Sequence, residues 1–188
     1  MKKRKNNYIY KNFLIAIEDL MKLKTYFFFS LTLLILSSII GLLFPEFFKE
    51  QIIGLIRTLI DKTEGLSTIQ LISFITANNM QVGFFIMILG TIFGIVPVLA
   101  LIVNGYVLGF VINSSIAAEG ILVIWRLIPH GIFEIPAILI STALGMKIGT
   151  NLTKFKQSLI EALRIFILIV VPLLVIAGII EGLLISFL

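Results

Sequence analysis

His130 and Glu134 stand four residues apart in LIPHGIFEIPA, residues 127–137, a stretch with no other ionisable group. On a helix, positions i and i+4 share a face, so the two side chains can act together. Such a pair could hold a metal ion, pass a proton or a cation, or bond to a neighbouring helix. Catalytic zinc usually takes three protein ligands. His130 is the only histidine and there is no cysteine, so neither a metal nor another cofactor is expected. A serine nucleophile would need a base, and nothing local assigns one to Ser114, Ser115 or Ser141. A second carboxylate in apolar sequence would have to be Glu181, in a different helix. His130 and Glu134 therefore remain the catalytic candidates, and the inventory does not by itself make an enzyme.

Ala137, Ser141 and Gly145 continue the face of His130 and Glu134. A small, polar stripe of this kind faces protein or water rather than lipid. A charge in hydrocarbon is costly, so Glu134 is expected to be protonated, to pair with His130 or Arg126, or to bond an amide such as Asn104 or Asn78 on a neighbouring helix. Pro136 removes the backbone bond to the Ile132 carbonyl and predicts a kink. The expected polar core is Asn78, Asn79, Asn104, His130, Glu134 and Ser141. Asn78-Asn79 also reads as the N-cap of a helix.

The chain that must position these residues has 188 residues, 59% hydrophobic and 13% charged. A soluble domain carries roughly a quarter charged residues. Residues 25–44 and 65–118 hold no charge, and 165–188 hold only Glu181. A bilayer crossing takes about 20 apolar residues, and runs of this length suit helices rather than barrel strands. The expectation is an all-α polytopic membrane bundle with about five transmembrane helices, at 25–44, 80–100, 103–118, 129–146 and 165–188. The second and third are either full crossings or a re-entrant pair, because Asn104-Gly105 between them reads as a turn or helix break. Residues 1–24 form a basic amphipathic segment, 46–77 an external interfacial segment, and 147–164 a basic amphipathic link. Pro45 stops the first helix, Pro172 kinks the last, and Trp125 and Arg126 read as interface anchors. The KKRK start lies too far from the first apolar run for a cleaved signal peptide, so a retained helix is expected.

With the N-terminus in the cytoplasm, residues 2–24 and 147–164 carry most of the 15 Lys and Arg. Only Lys49, Arg57, Lys62 and Arg126 fall outside. By the positive-inside rule this predicts a multi-pass plasma-membrane protein, N-terminus cytoplasmic and C-terminus external. The net charge of +5 then reports topology, and no nucleic acid is expected. His130 would lie toward the outer interface with Glu134 one turn deeper.

Four GxxxG pairs recur: Gly90/Gly94, Gly105/Gly109, Gly145/Gly149 and Gly178/Gly182. With Gly131, they are read as helix-packing positions, since such spacing lets backbones approach closely in lipid. They suit a self-packed bundle, a partner interface or a homo-oligomer.

Asn78-Asn79, Gly90 and Gly94, LIVNGYVLG (101–109), PHGIFEIPA (129–137) and ALGMKIG (143–149) follow one another in the order found in the stage II sporulation protein M family. The chain resembles that family over residues 25–188. The resemblance implies an integral membrane protein of about five helices. Name-giving members work in the sporulation engulfment complex with two partners that cut peptidoglycan, where the membrane protein is the anchor and not the hydrolase. Similar proteins occur in organisms that do not sporulate, and some accompany circular bacteriocin production. The motif positions match Asn104, His130, Gly131 and Glu134, and no catalytic role comes with them.

Three functions follow as expectations. The first is a non-enzymatic membrane scaffold for cell-envelope or secretion partners. The second is a transporter or exporter component for a small solute or peptide, bacteriocin secretion included. The third is an intramembrane peptidase.

Overall fold

The computed structural model describes the backbone of residues 2–187 and the side chains of residues 10–122, 128 and 131–187. His130, Trp125 and Arg126 lie in a helix, but their side chains fall outside the described residues. Every described element is helical: α1 Lys2–Met21, α2 Lys24–Leu43, α3 Lys49–Thr63, α4 Thr68–Ile88, α5 Ile95–Glu119, α6 Ile124–Thr150, α7 Phe155–Ile165 and α8 Val171–Phe187. Short 3-10 turns join several of them, and a π turn, Phe166–Val170, precedes α8. Five stretches are long and apolar enough to cross a membrane: Lys24–Leu43, Thr68–Thr91, Ile95–Glu119, Gly131–Thr150 and Leu152–Phe187. This is the architecture of an all-α, multi-pass membrane protein.

The second and third of these stretches differ from the sequence expectation. Ser67 starts α4, its backbone N–H and its hydroxyl each donating to Gln70 Oε1 at 2.9 Å. Residues 68–77, expected in the external segment, therefore belong to the second long helix, and Asn78-Asn79 lies inside that helix rather than capping it. The chain reverses through Phe93 (φ 50°) and Gly94 (φ 70°), a left-handed bend that glycine adopts without a Cβ clash. Asn104-Gly105 is no break: both residues lie within α5, and Asn104 Nδ2 donates to the Ala100 carbonyl at 2.8 Å. At 24 and 25 residues, the two helices have full crossing length rather than that of a re-entrant pair.

Helix α6 runs through the middle of the bundle. Ala137, Leu139–Met146 and Ile148 are all buried, packed among α2, α4, α5 and α8. Small residues there let four neighbours close in, with Met87, Leu144, Phe166, Val170 and Leu174 filling the core. The close approaches fall on the glycines. A Cβ on Gly105 would overlap the Ser37 hydroxyl, and one on Gly109 the Ser38 carbonyl, which joins α5 to α2. Gly90 meets the backbone of Gly145, and Gly149 that of Gly94. Gly178 and Gly182 of α8 meet Thr76 and Ile72 of α4. Gly131 is the exception, since a Cβ there would meet only Ile135 of its own helix.

Both ends of the bundle are tied. At one, Tyr26 Oη and Thr150 Oγ1 share a hydrogen bond of 2.8 Å, and Arg164 of α7 reaches the buried Asp19 of α1 at 3.3 Å. At the other, Asn113 Nδ2 donates to the Leu42 carbonyl at 3.0 Å. Pro172 sits just after the π turn. The wider ring of a π turn accommodates the missing backbone donor without breaking the helix.

Candidate functional site

Helices α2, α5 and α6 enclose a cavity of about 250 Å³ within the span of the long helices. Its polar groups are Asn104 from α5 and Glu134 from α6, set among apolar side chains that include Leu34, Val107 and Ile138. Gly131, one turn before Glu134, also lines it, so the glycine leaves room beside the carboxyl instead of bringing a helix close. An apolar groove of about 400 Å³ adjoins the cavity, sharing Leu108, Gly131 and Ile135 as wall and ending on Pro136.

Asn104 spends one amide hydrogen on the Ala100 carbonyl. Its side-chain oxygen keeps its acceptor capacity for the cavity. Glu134 forms no hydrogen bond or ion pair with another described side chain. One carboxyl group and one amide thus face the same cavity from two helices. Such a set can hold a proton or a small cation, or bond a polar group carried on an apolar ligand.

The remaining expected site residues fall elsewhere. Ser141 is buried on the same face of α6, but its hydroxyl donates to the Ala137 carbonyl at 2.9 Å and it faces Gly83 of α4. Asn78 is exposed and Asn79 half-buried on α4; they bond each other at 3.4 Å, and neither lines the cavity. Asn78 is therefore not part of a polar core. The side chain of His130, the other member of the opening pair, lies outside the described residues. Among the described residues no three His, Cys, Asp or Glu converge.

Sequence reasoning missed a second polar cluster. Asp19 is 5% exposed and takes Lys22 at 2.7 Å and Arg164 at 3.3 Å. Nearby, Lys147 of α6 pairs with Glu161 of α7 at 2.7 Å. The Asp19–Lys22 spacing of i and i+3 was a readable signal; the contact with Arg164 is purely tertiary.

A family model described as Stage II sporulation protein M matches residues 27–184. Two uncharacterized proteins of Methanocaldococcus jannaschii are similar. One is 41% identical over 119 residues, covering 57% of this chain and 66% of the relative. The other is 32% identical over 126 residues, covering 61% of this chain and 55% of the relative. Each match thus spans less than two thirds of the relative's own length. No solved structure matches.

Proposed function

The chain belongs to the stage II sporulation protein M family, and from that premise we propose that it is a non-enzymatic membrane scaffold of a cell-envelope or secretion complex. In this reading it sits in the plasma membrane with its N-terminus cytoplasmic and its C-terminus external, the orientation favoured by its Lys and Arg distribution. Its partners are the bilayer and other envelope proteins, and copies of itself in an oligomer.

The observation that carries the reading is the placement of α3. This amphipathic helix docks on the bundle through Ile52, packed with Tyr106 and Phe110. Further along the same apolar face it leaves Leu55, Leu59 and Ile60 exposed at 60%, 46% and 56%. In the proposed orientation that apolar row lies at the external surface, where envelope partners work. The glycine-on-backbone contacts beneath it suit a rigid platform.

A photo-crosslinker at Leu59, used in the native host, tests this. Capture of a specific envelope protein at Leu59, and none from the buried Ile52, is the expected result. A protein that is strictly monomeric when purified and captures nothing from Leu59 would sink the reading.

The cavity favours a second reading, a component that transports or exports a small solute or peptide. Asn104 and Glu134 offer the intramembrane polar groups that such a path uses. Flux through proteoliposomes should then fall when Glu134→Gln is introduced. Unchanged flux would remove this reading.

A further inference from the structure

Helices α1 and α7 lie side by side at one end of the bundle, with an open groove of about 830 Å³ between them. Two carboxylates and three cationic side chains line it. Both carboxylates are already paired. Asp19 takes Lys22 and Arg164, and Glu161 takes Lys147 together with the Gln157 amide at 2.9 Å. Lys154 and Lys156 form no ion pair among the described residues, so the groove keeps uncompensated positive charge. Besides Thr153 and Gln157, its remaining wall is apolar: Ile15, Phe155, Ile160 and Leu152. Leu152, Phe155 and Ile160 are exposed.

Depth identifies the occupant. The fourth candidate crossing ends at Thr150, and the charged stretch 154–164 precedes the apolar run that begins at Ile165, so by composition the groove sits where hydrocarbon gives way to headgroups. Free ammonium groups next to an apolar wall, at that depth, complement an amphiphile with an anionic head. A soluble polyanion would match the charge but leave the apolar wall in water. We propose that the α1–α7 groove is a binding site for an anionic phospholipid. Lys154 and Lys156 hold its phosphate, with the Thr153 hydroxyl as a further donor, and Phe155 and Ile160 seat the start of its acyl chains. This proposal does not depend on the scaffold reading.

Native mass spectrometry of the full chain, titrated with phosphatidylglycerol or phosphatidylcholine of equal chain length, reads the preference directly. A lysine near an anionic lipid surface is worth roughly fivefold in affinity. The unmodified chain should therefore favour phosphatidylglycerol by about tenfold or more. Lys154→Gln/Lys156→Gln should bring the two lipids to within about twofold, and Lys154→Arg/Lys156→Arg should keep the preference. If the double Gln variant does not fold, each single Gln variant should still lose roughly fivefold. Equal retention of both lipids by the unmodified chain overturns the proposal, as does a preference that survives the Gln substitutions. An equal loss in Lys49→Gln/Lys62→Gln, at the far end of the molecule, would reduce the effect to overall charge and also overturn it. So would displacement of the lipid by millimolar inorganic phosphate, which would make this a site for free phosphate.

Discussion

The Tyr106 hydroxyl donates to the Phe44 carbonyl oxygen at 2.6 Å, tying the middle of α5 to the residue at which α2 ends. Phe44 caps α2, so the bond satisfies one of the carbonyls that a helix end leaves open. Tyr106 also packs edge-on against Phe48, with ring centroids 5.3 Å apart. Tyr106→Phe keeps the ring and removes the bond. It should cost about 1 kcal/mol, read as a lower unfolding midpoint in detergent with unchanged helicity. Tyr106→Ala should cost considerably more, because ring and bond go together.

Gly145 and Gly131 separate close approach from local freedom. A Cβ at Gly145 would lie 2.6 Å from Pro97 and 2.7 Å from the Ile86 carbonyl, so Gly145→Val should prevent recovery of a monodisperse protein. Gly131→Ala meets only its own helix and should leave stability within about 0.5 kcal/mol, while narrowing the cavity beside Glu134. Size-exclusion profiles of the two variants make the comparison. Similar losses in both would show that the glycines matter by some other route.

Asp19 should decide whether α1 stays docked. Its hydrogen bond and its charge hold the Lys22 ammonium above its ordinary pKa. The same carboxylate neutralises Arg164. Asp19→Asn removes the counter-charge from a partly buried guanidinium, at about 2 kcal/mol for a charged hydrogen bond. The expected outcome is faster proteolysis of residues 10–22 while the bundle core stays protected. Protection equal to that of the unmodified chain would show that α1 is held by apolar contacts alone.

Thr142 should be better as valine. Its hydroxyl is buried and has no hydrogen-bond partner among the described residues, and burying such a group costs about 1–3 kcal/mol. Thr142→Val keeps the branched shape and should raise the unfolding midpoint. A lowered midpoint would mean that the hydroxyl is bonded after all.

Glu134 should tolerate a neutral amide better than a bulky apolar group. Glu134→Gln keeps the shape and a polar end within reach of the Asn104 side of the cavity, so the fold should survive. A Lys at Asn104 would instead give Glu134 an opposite charge inside the bundle. Asn104→Lys should therefore be worsened by Glu134→Gln in a double-mutant cycle, with a coupling of at least about 0.5 kcal/mol. Strict additivity would mean that the two side chains do not share one cavity.

Much of this arrangement was legible before any coordinates. Uncharged runs and GxxxG spacing pointed to five helices packed backbone on backbone, and Asn104 was already a candidate neighbour of Glu134. The ends of α4 and α5 were harder. Residues 65–118 contain no charge, so hydropathy offers no edge, and Asn104-Gly105 looked like the natural break. The cues that decide the matter are local and small: the Ser67–Gln70 spacing of a helix start, and Gly94 in a left-handed bend after Phe93. Asn104-Gly105 has a different reason for being there, since Gly105 lets α5 lie against Ser37 of α2. The Asp19–Arg164 contact spans most of the chain and leaves no trace in local spacing.

The π turn at Phe166–Val170 acts as a phase shifter between two helices that answer to different neighbours. Ahead of it, Ser158 and Ala162 are buried on one face of α7, whose Arg164 reaches α1. Beyond it, Gly178 and Gly182 must meet α4. A π turn holds one residue more than an α turn, worth about 100° of α-helical rotation. Deleting a single residue from 166–170 would give a more regular helix and a worse protein. With α7 held by Asp19, the two glycines would swing away from Thr76 and Ile72, and a bulky side chain would take their place against α4.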